Sequence, residues 1–238
     1  MYIWEEKGKE MEKQRKPESF REFISRLIPS YAVLPLIILI VSNIAVYYGT
    51  RLLNDILNRP YIDMTSKLDM RIPVIPGFSI VYVLAFPFWY ITYFMILRSN
   101  PEKCRATVIV NVAAKLLCGV IFVLLPATNV RPVLTETNMF EKLLGIIYTM
   151  DAPDNLFPSI HCLESWLCFL FISDESDVHN GIKLASMYLA IFICLSTLFT
   201  KQHVMIDVFS GVIIAIGAYL ARRRLLHMGF RFKPVFRS

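Results

Sequence analysis

Apolar and polar positions fall into long blocks along this chain, rather than alternating or recurring at a helical period. Residues 31–50 (YAVLPLIILIVSNIAVYYGT), 72–97 and 184–200 hold no charged side chain. Three more apolar blocks, 106–130, 155–173 and 203–221, carry one internal charge each: Lys115, Glu164 and Asp207. About 20 mostly apolar residues are needed to cross roughly 30 Å of hydrocarbon as a helix. The pattern therefore predicts an all-α membrane protein, a six-transmembrane-helix bundle over residues 31–221. A polar segment, 1–30, precedes it and a basic tail, 222–238, follows. In the leading segment, Trp4, Phe20, Phe23, Ile24 and Leu27 can supply the apolar face of an interfacial helix, and a plain basic tail is the other reading. The segment lacks the short basic stretch and brief apolar core of a cleavable signal peptide.

Composition agrees. Hydrophobic residues make up 55% of the 238 and charged ones 18%, below the roughly one quarter usual in soluble domains. The five cysteines lie mostly inside the apolar blocks without a CxxC pair, which argues against a disulfide framework and gives a zinc knuckle no support. The net charge of +6 would suit a nucleic-acid partner if it formed a patch, but it is divided among loops. With six spans, the two ends and the even loops hold 17 Lys and Arg, and the odd loops hold 7. The positive-inside bias puts both termini in the cytoplasm and turns the basic residues toward orientation and anionic headgroups. No nucleic-acid partner is expected; the bilayer is the partner. Lys115, inside the third span, can snorkel toward the cytoplasmic end.

That topology brings three distant polar stretches to the non-cytoplasmic end: ATNVRP (127–132), FPSIHC (157–162) and TKQHVMID (200–207). His203 and Asp207 are four apart, which places them on one helix face. A carboxylate beside an imidazole fixes its tautomer and stabilises the imidazolium, and histidine can itself be a covalent nucleophile. Pro158 and Ser159 read as a helix start, a place where free N–H groups bind phosphate oxygens. His161 in that first turn is placed to protonate a leaving alkoxide. Arg131 offers a forked phosphate donor and Lys201 a point charge. This set suits phosphoryl transfer with neither metal nor cofactor, since no acidic cluster suggests a magnesium cage.

In order and wording the motifs resemble those of the type-2 phosphatidic acid phosphatase superfamily, whose members share six membrane helices and the patterns Lys-x6-Arg-Pro, Pro-Ser-Gly-His and Ser-Arg-x5-His-x3-Asp. Arg131-Pro132 matches the end of the first. Pro158-Ser159-Ile160-His161 matches the second with Ile160 for glycine. Ser196, His203 and Asp207 match the third, and the DVFSG that follows continues as that helix usually does. The likeness covers a core of about 106–221. It implies that His203 attacks phosphorus, Asp207 orients it, His161 protonates the leaving group, and Arg131 with the Ser159 region holds the phosphate.

Two cations of the family pattern are absent, because Leu124 and Thr197 stand at their positions; Lys201 is the candidate replacement for one. Keeping two histidines and the aspartate without those cations is similar to the inositol phosphorylceramide synthase and sphingomyelin synthase branch. DxPxNxFPSxH followed by TKQHxxxD is closest in wording to the inositolphosphotransferase-like subgroup. The substrate implied is a phospholipid or polyprenyl phosphate, and headgroup transfer is favoured over simple hydrolysis. Glu164, three residues after His161, is placed to tune it or to make a helix-to-helix bond. Asp151 and Asp154 read as loop caps. Two other classes stay open: a metalloenzyme using His161, His203 and Asp207 as ligands, and a transport or non-catalytic membrane protein with a degenerate site.

Overall fold

The computed structural model describes residues 28–135 and 137–229. The candidate interfacial helix before residue 28 and the tail from residue 230 onward lie outside them. Within the described residues, eight helices and two short strands run α1 (Ser30–Ile56), β1 (Ile62–Asp63), α2 (Lys67–Arg71), α3 (Phe78–Ser99), α4 (Pro101–Leu124), β2 (Ala127–Thr128), α5 (Met139–Met150), α6 (Ile160–Ser173), α7 (Asn180–Phe199) and α8 (Met205–His227).

Local chemistry sets the boundaries. The Asn100 side chain accepts the N–H groups of Glu102 and Lys103, and Pro101 opens α4 where its missing N–H is harmless. Asn138 caps α5 through the N–H of Glu141. The Asp207 carboxylate reaches back to the N–H of Val204 at the head of α8. Pro35 and Pro87 lie within α1 and α3, where membrane helices tolerate proline.

α1, α3, α4, α7 and α8 are long and apolar enough to cross a membrane, and many of their large apolar side chains face outward, among them Val41, Ile91, Leu116, Tyr188 and Ile213. Such surfaces fit a multi-pass integral membrane protein. The segment expected to span over 155–173 forms the 14-residue α6, about 21 Å long at 1.5 Å per residue. Its first expected residues, 155–159, are loop, because Pro158 and Ser159 delay the helix to Ile160. α6 is the pillar of the bundle: it packs against α3, α4, α7 and α8, and Leu163, Leu167, Cys168 and Phe171 are fully buried. α1 stands to one side, against α4 and α3.

Two buried polar clusters tie the pillar to its neighbours. Lys115 does not snorkel. Its ammonium lies 3.2 Å from Glu164 and donates to the Leu39 carbonyl at 2.9 Å. Glu164 also accepts from Tyr93 and from Asn111, so the carboxylate considered as a tuner of His161 is taken up by α3 and α4. At one end of the bundle Arg222, fully buried, meets Asp174 and Glu175 over the Phe171 ring. It belongs to α8, which continues to His227.

The other end is closed by loops. β1 and β2 pair in parallel, Ile62 with Ala127 and Asp63 with Thr128. Ile75 donates to the Phe199 carbonyl and the Tyr148 hydroxyl to the Thr200 carbonyl. The amphipathic α5, too short to span, packs on α3 at this end. These ties fix the turn between α7 and α8, and with it His203.

Candidate active site

His203 stands in the five-residue turn between α7 and α8. Its Nδ1 is 3.3 Å from Asp207 Oδ2, and that same oxygen accepts the N–H of Val204 at 3.0 Å. One carboxylate oxygen thus orients the ring and fixes the chain beside it. Burial opposes a charge on the His203 ring, but the hydrogen bond and negative charge of Asp207 outweigh it and lift its affinity for a proton above the usual histidine range. With Nδ1 engaged, Nε2 is the ring nitrogen left for chemistry.

His161 faces it from the first turn of α6, with ring centroids 6.1 Å apart. Two contacts hold the α6 start against α8: the Ser159 N–H donates to the Asp207 carbonyl at 3.1 Å, and Gly211 lets the Ser159 carbonyl approach. A Cβ on Gly211 would lie 2.4 Å from that oxygen. The Ser159 hydroxyl accepts the N–H of Cys162 at 3.3 Å, the capping role expected of it. The glycine of the DVFSG stretch is therefore a point where the helix that carries His161 touches the helix that carries Asp207.

Aromatic groups seat His161. Tyr82 stacks on it at 4.3 Å, and Trp89 and Phe86 pack at 5.1 and 5.7 Å. The Tyr82 hydroxyl donates to Asp151 Oδ2 at 2.7 Å and lies 3.4 Å from His161 Nδ1. Assigned from that network, the His161 proton sits on Nδ1 in the neutral ring and Nε2 is free to carry the second. Tyr47 also bonds Asp151. Burial pushes the Asp151 carboxyl up, but the charge of His161 and the bonds from Tyr47 and Tyr82 hold it below the ordinary range. Asp151, read from sequence as a loop cap, is an ionised wall of the site.

The two cations expected at the phosphate are placed differently. Arg131 lies over the Tyr148 ring at 4.8 Å, donating from Nη1 to the Asp151 carbonyl at 2.5 Å and from Nη2 to Gln202 Oε1 at 2.6 Å. Lys201, at a left-handed φ of 52°, donates to the carbonyls of Asp69 and Ile72 at 2.7 and 2.6 Å. Its ammonium anchors the loop before α3, and a phosphate would have to compete with both carbonyls.

His161, His203, Gln202, Asp151, Asp154 and Trp89 are among the walls of a cavity of about 50 Å³, room for a few water-sized groups. Five buried polar atoms without a hydrogen-bond partner among the described residues belong to residues of its lining: His161 Nε2, Gln202 Nε2, Asn43 Oδ1, Asp154 Oδ1 and Asn155 Oδ1. Buried polar groups are nearly always paired, with water as well as with protein, so this concentration suits a cavity filled by polar groups, water or a ligand. Burial pushes the Asp154 carboxyl up to about 6 against the opposing charge of Arg51, 2.9 Å away. Among the described residues no three His, Cys, Asp or Glu side chains converge as a metal-ligand set.

Sequence reasoning misses Tyr82, Asp151 and Gln202. Tyr82 sits in an apolar run without any flag. Gln202 has one signal, its place directly before His203 in TKQH.

No curated protein matches the chain. A family model described as the PAP2 superfamily matches residues 74–221, a stretch holding Arg131, Ser159, His161, His203 and Asp207 and more than half of the sequence. Among the described residues, five apolar helices long enough to span a membrane, a central short one and a paired-histidine cavity accompany that match. The chain belongs to the PAP2 superfamily.

Proposed function

We propose that the protein cleaves a lipid phosphoester through a covalent phosphohistidine on His203 and passes the phospho-group to an alcohol in preference to water. The observation that carries this reading is the placement of His203, oriented by Asp207 at 3.3 Å, opposite His161 at one small cavity. His203 Nε2 attacks phosphorus. His161, protonated on Nε2, gives that proton to the departing lipid oxygen as the P–O bond breaks. In the second half, His161 takes the proton of the acceptor hydroxyl as its oxygen attacks and the P–N bond breaks. Microscopic reversal of one acid–base pair serves both halves.

Transfer is favoured over hydrolysis because Leu124 and Thr197 stand where phosphatases of the family carry cations. The inositolphosphotransferase-like wording of the motifs supports the same choice. The excess of Lys and Arg in the alternate loops supports placing the site on the non-cytoplasmic face. Purified protein is incubated with labelled phospholipids and EDTA, with and without polyol or lipid-alcohol acceptors. A new lipid species without free phosphate is expected. Phosphate release alone would make it a phosphatase, and silence across the panel would count against catalysis.

A further inference from the structure

The family pattern leaves this site short of phosphate-binding cations, and a buried amide stands at the cavity wall. Gln202 is 1% exposed and lines the cavity beside His203 and His161. Its Oε1 is held by Arg131 Nη2 at 2.6 Å. Because a guanidinium only donates, that bond fixes which end of the amide is which and leaves Nε2 as the free end. Nε2 is buried with no partner among the described residues. Arg131 itself does not line the cavity; its fork is engaged by Asp151, Gln202 and Tyr148.

Three of the five unpartnered atoms, on Asn43, Asp154 and Asn155, are oxygens, which as amide carbonyl or ionised carboxylate accept hydrogen bonds and do not donate to phosphate oxygens. The donors are His161 Nε2, which is committed to the leaving group, and Gln202 Nε2. We propose that Gln202 is the oxyanion donor of the site, its Nε2 hydrogens holding a non-bridging oxygen of the phospho-group while His203 attacks. Arg131 then acts at one remove, orienting and polarising the amide.

The inference rests on the phosphotransfer reading above. As the bond from His203 Nε2 to phosphorus forms and the bond to the lipid oxygen breaks, charge shifts over the non-bridging oxygens. Gln202 donates there and neither gains nor loses a proton. Preorganised donors of this kind contribute about 10²–10³ in kcat each.

The test uses the full-length protein in detergent with Gln202→Met, which keeps length and removes the amide, and Gln202→Glu, which keeps the oxygen that Arg131 holds and removes the donor. Turnover, inhibition by orthovanadate (a mimic of the pentacoordinate phosphorus) and melting temperature are measured, with His203→Ala alongside. Both Gln202 variants are expected to lose about 10²–10³-fold in kcat and at least about tenfold in vanadate affinity, as a group bound to the transition state should. Gln202→Glu should melt near the wild type. Normal vanadate inhibition in both variants, whether turnover falls or not, would overturn the donor role and leave Gln202 as packing for Arg131. If Gln202→Met does not fold, Gln202→Glu decides alone. Turnover surviving in His203→Ala, or a wild type indifferent to vanadate, would instead sink the underlying phosphotransfer reading.

Discussion

Gly211→Ala probes whether the two histidines depend on one helix contact. The added Cβ would stand 2.4 Å from the Ser159 carbonyl oxygen and 3.3 Å from both Cys162 Cβ and the Leu163 nitrogen. A carbon and a carbonyl oxygen settle at about 3.3–3.6 Å, so the start of α6 and the first turns of α8 must part by about 1 Å. The Ser159 oxygen is backbone, accepts from Leu163 at 3.0 Å and cannot swing aside. The Ser159 N–H bond to Asp207 strains with it. His161 rides on one helix, Asp207 on the other and His203 in the turn that leads into it, and a misplacement of about 1 Å can cut turnover about 10²-fold. Overpacking of this kind destabilises by about 1–3 kcal/mol. Gly217, further along α8, has open space where a Cβ would stand, with nothing within 4 Å, and alanine there gains helix propensity of up to about 1 kcal/mol. The assay is lipid phosphotransfer in detergent with melting temperature for both variants. Gly211→Ala is expected to lose turnover and melt earlier, while Gly217→Ala does neither. Wild-type turnover in Gly211→Ala would refute the idea that this contact sets the site.

Three further outcomes follow from other parts of the molecule. Asp207→Asn removes the charge that lifts the proton affinity of His203; neutral His203 then persists to lower pH, so the acid limb of the kcat/KM profile moves down while its plateau falls. Lys115→Met leaves Glu164 buried without its cation, a loss of about 3–5 kcal/mol, and pairing it with Glu164→Gln should recover much of the melting temperature. Asp154, whose folded carboxyl is pushed up to about 6, binds its proton more tightly folded than unfolded, so its contribution to stability is present below about pH 4 and is lost as pH rises through about 6; Asp154→Asn should flatten that part of the stability curve, read from melting temperature across pH.

The candidate triad is legible in sequence because its members carry short-range signals. His203 and Asp207 stand four apart, although His203 lies in the turn before α8 and not on its face as expected; His161 follows a proline–serine helix start, and the succession of apolar blocks puts both at one end. The supporting shell is not legible. Tyr82 and Asp151 are 69 residues apart, and nothing local in either segment announces the contact. Arg131 and Gln202 meet across 71 residues by the same long-range closure. Lys115 departs from expectation because snorkelling is the default for an isolated membrane lysine, and Glu164 on a facing helix supplies what isolation lacks. The span expected over 155–173 is too long because Leu156, Phe157 and Pro158 count as apolar in a window, although the chain there is a loop. α5 escapes a hydropathy reading: twelve residues are too few for a membrane window.

The most direct test of the central claim is chemical capture of the intermediate. Protein is mixed with a phospholipid labelled in its phospho-group, quenched in alkali within a single turnover, digested and mapped by mass spectrometry. The expected result is an acid-labile phospho-group on His203, absent from His203→Ala, that disappears when an acceptor alcohol is added as the new lipid forms. Transfer at the normal rate in His203→Ala, or single-turnover product formation with His203 unlabelled throughout, would contradict it.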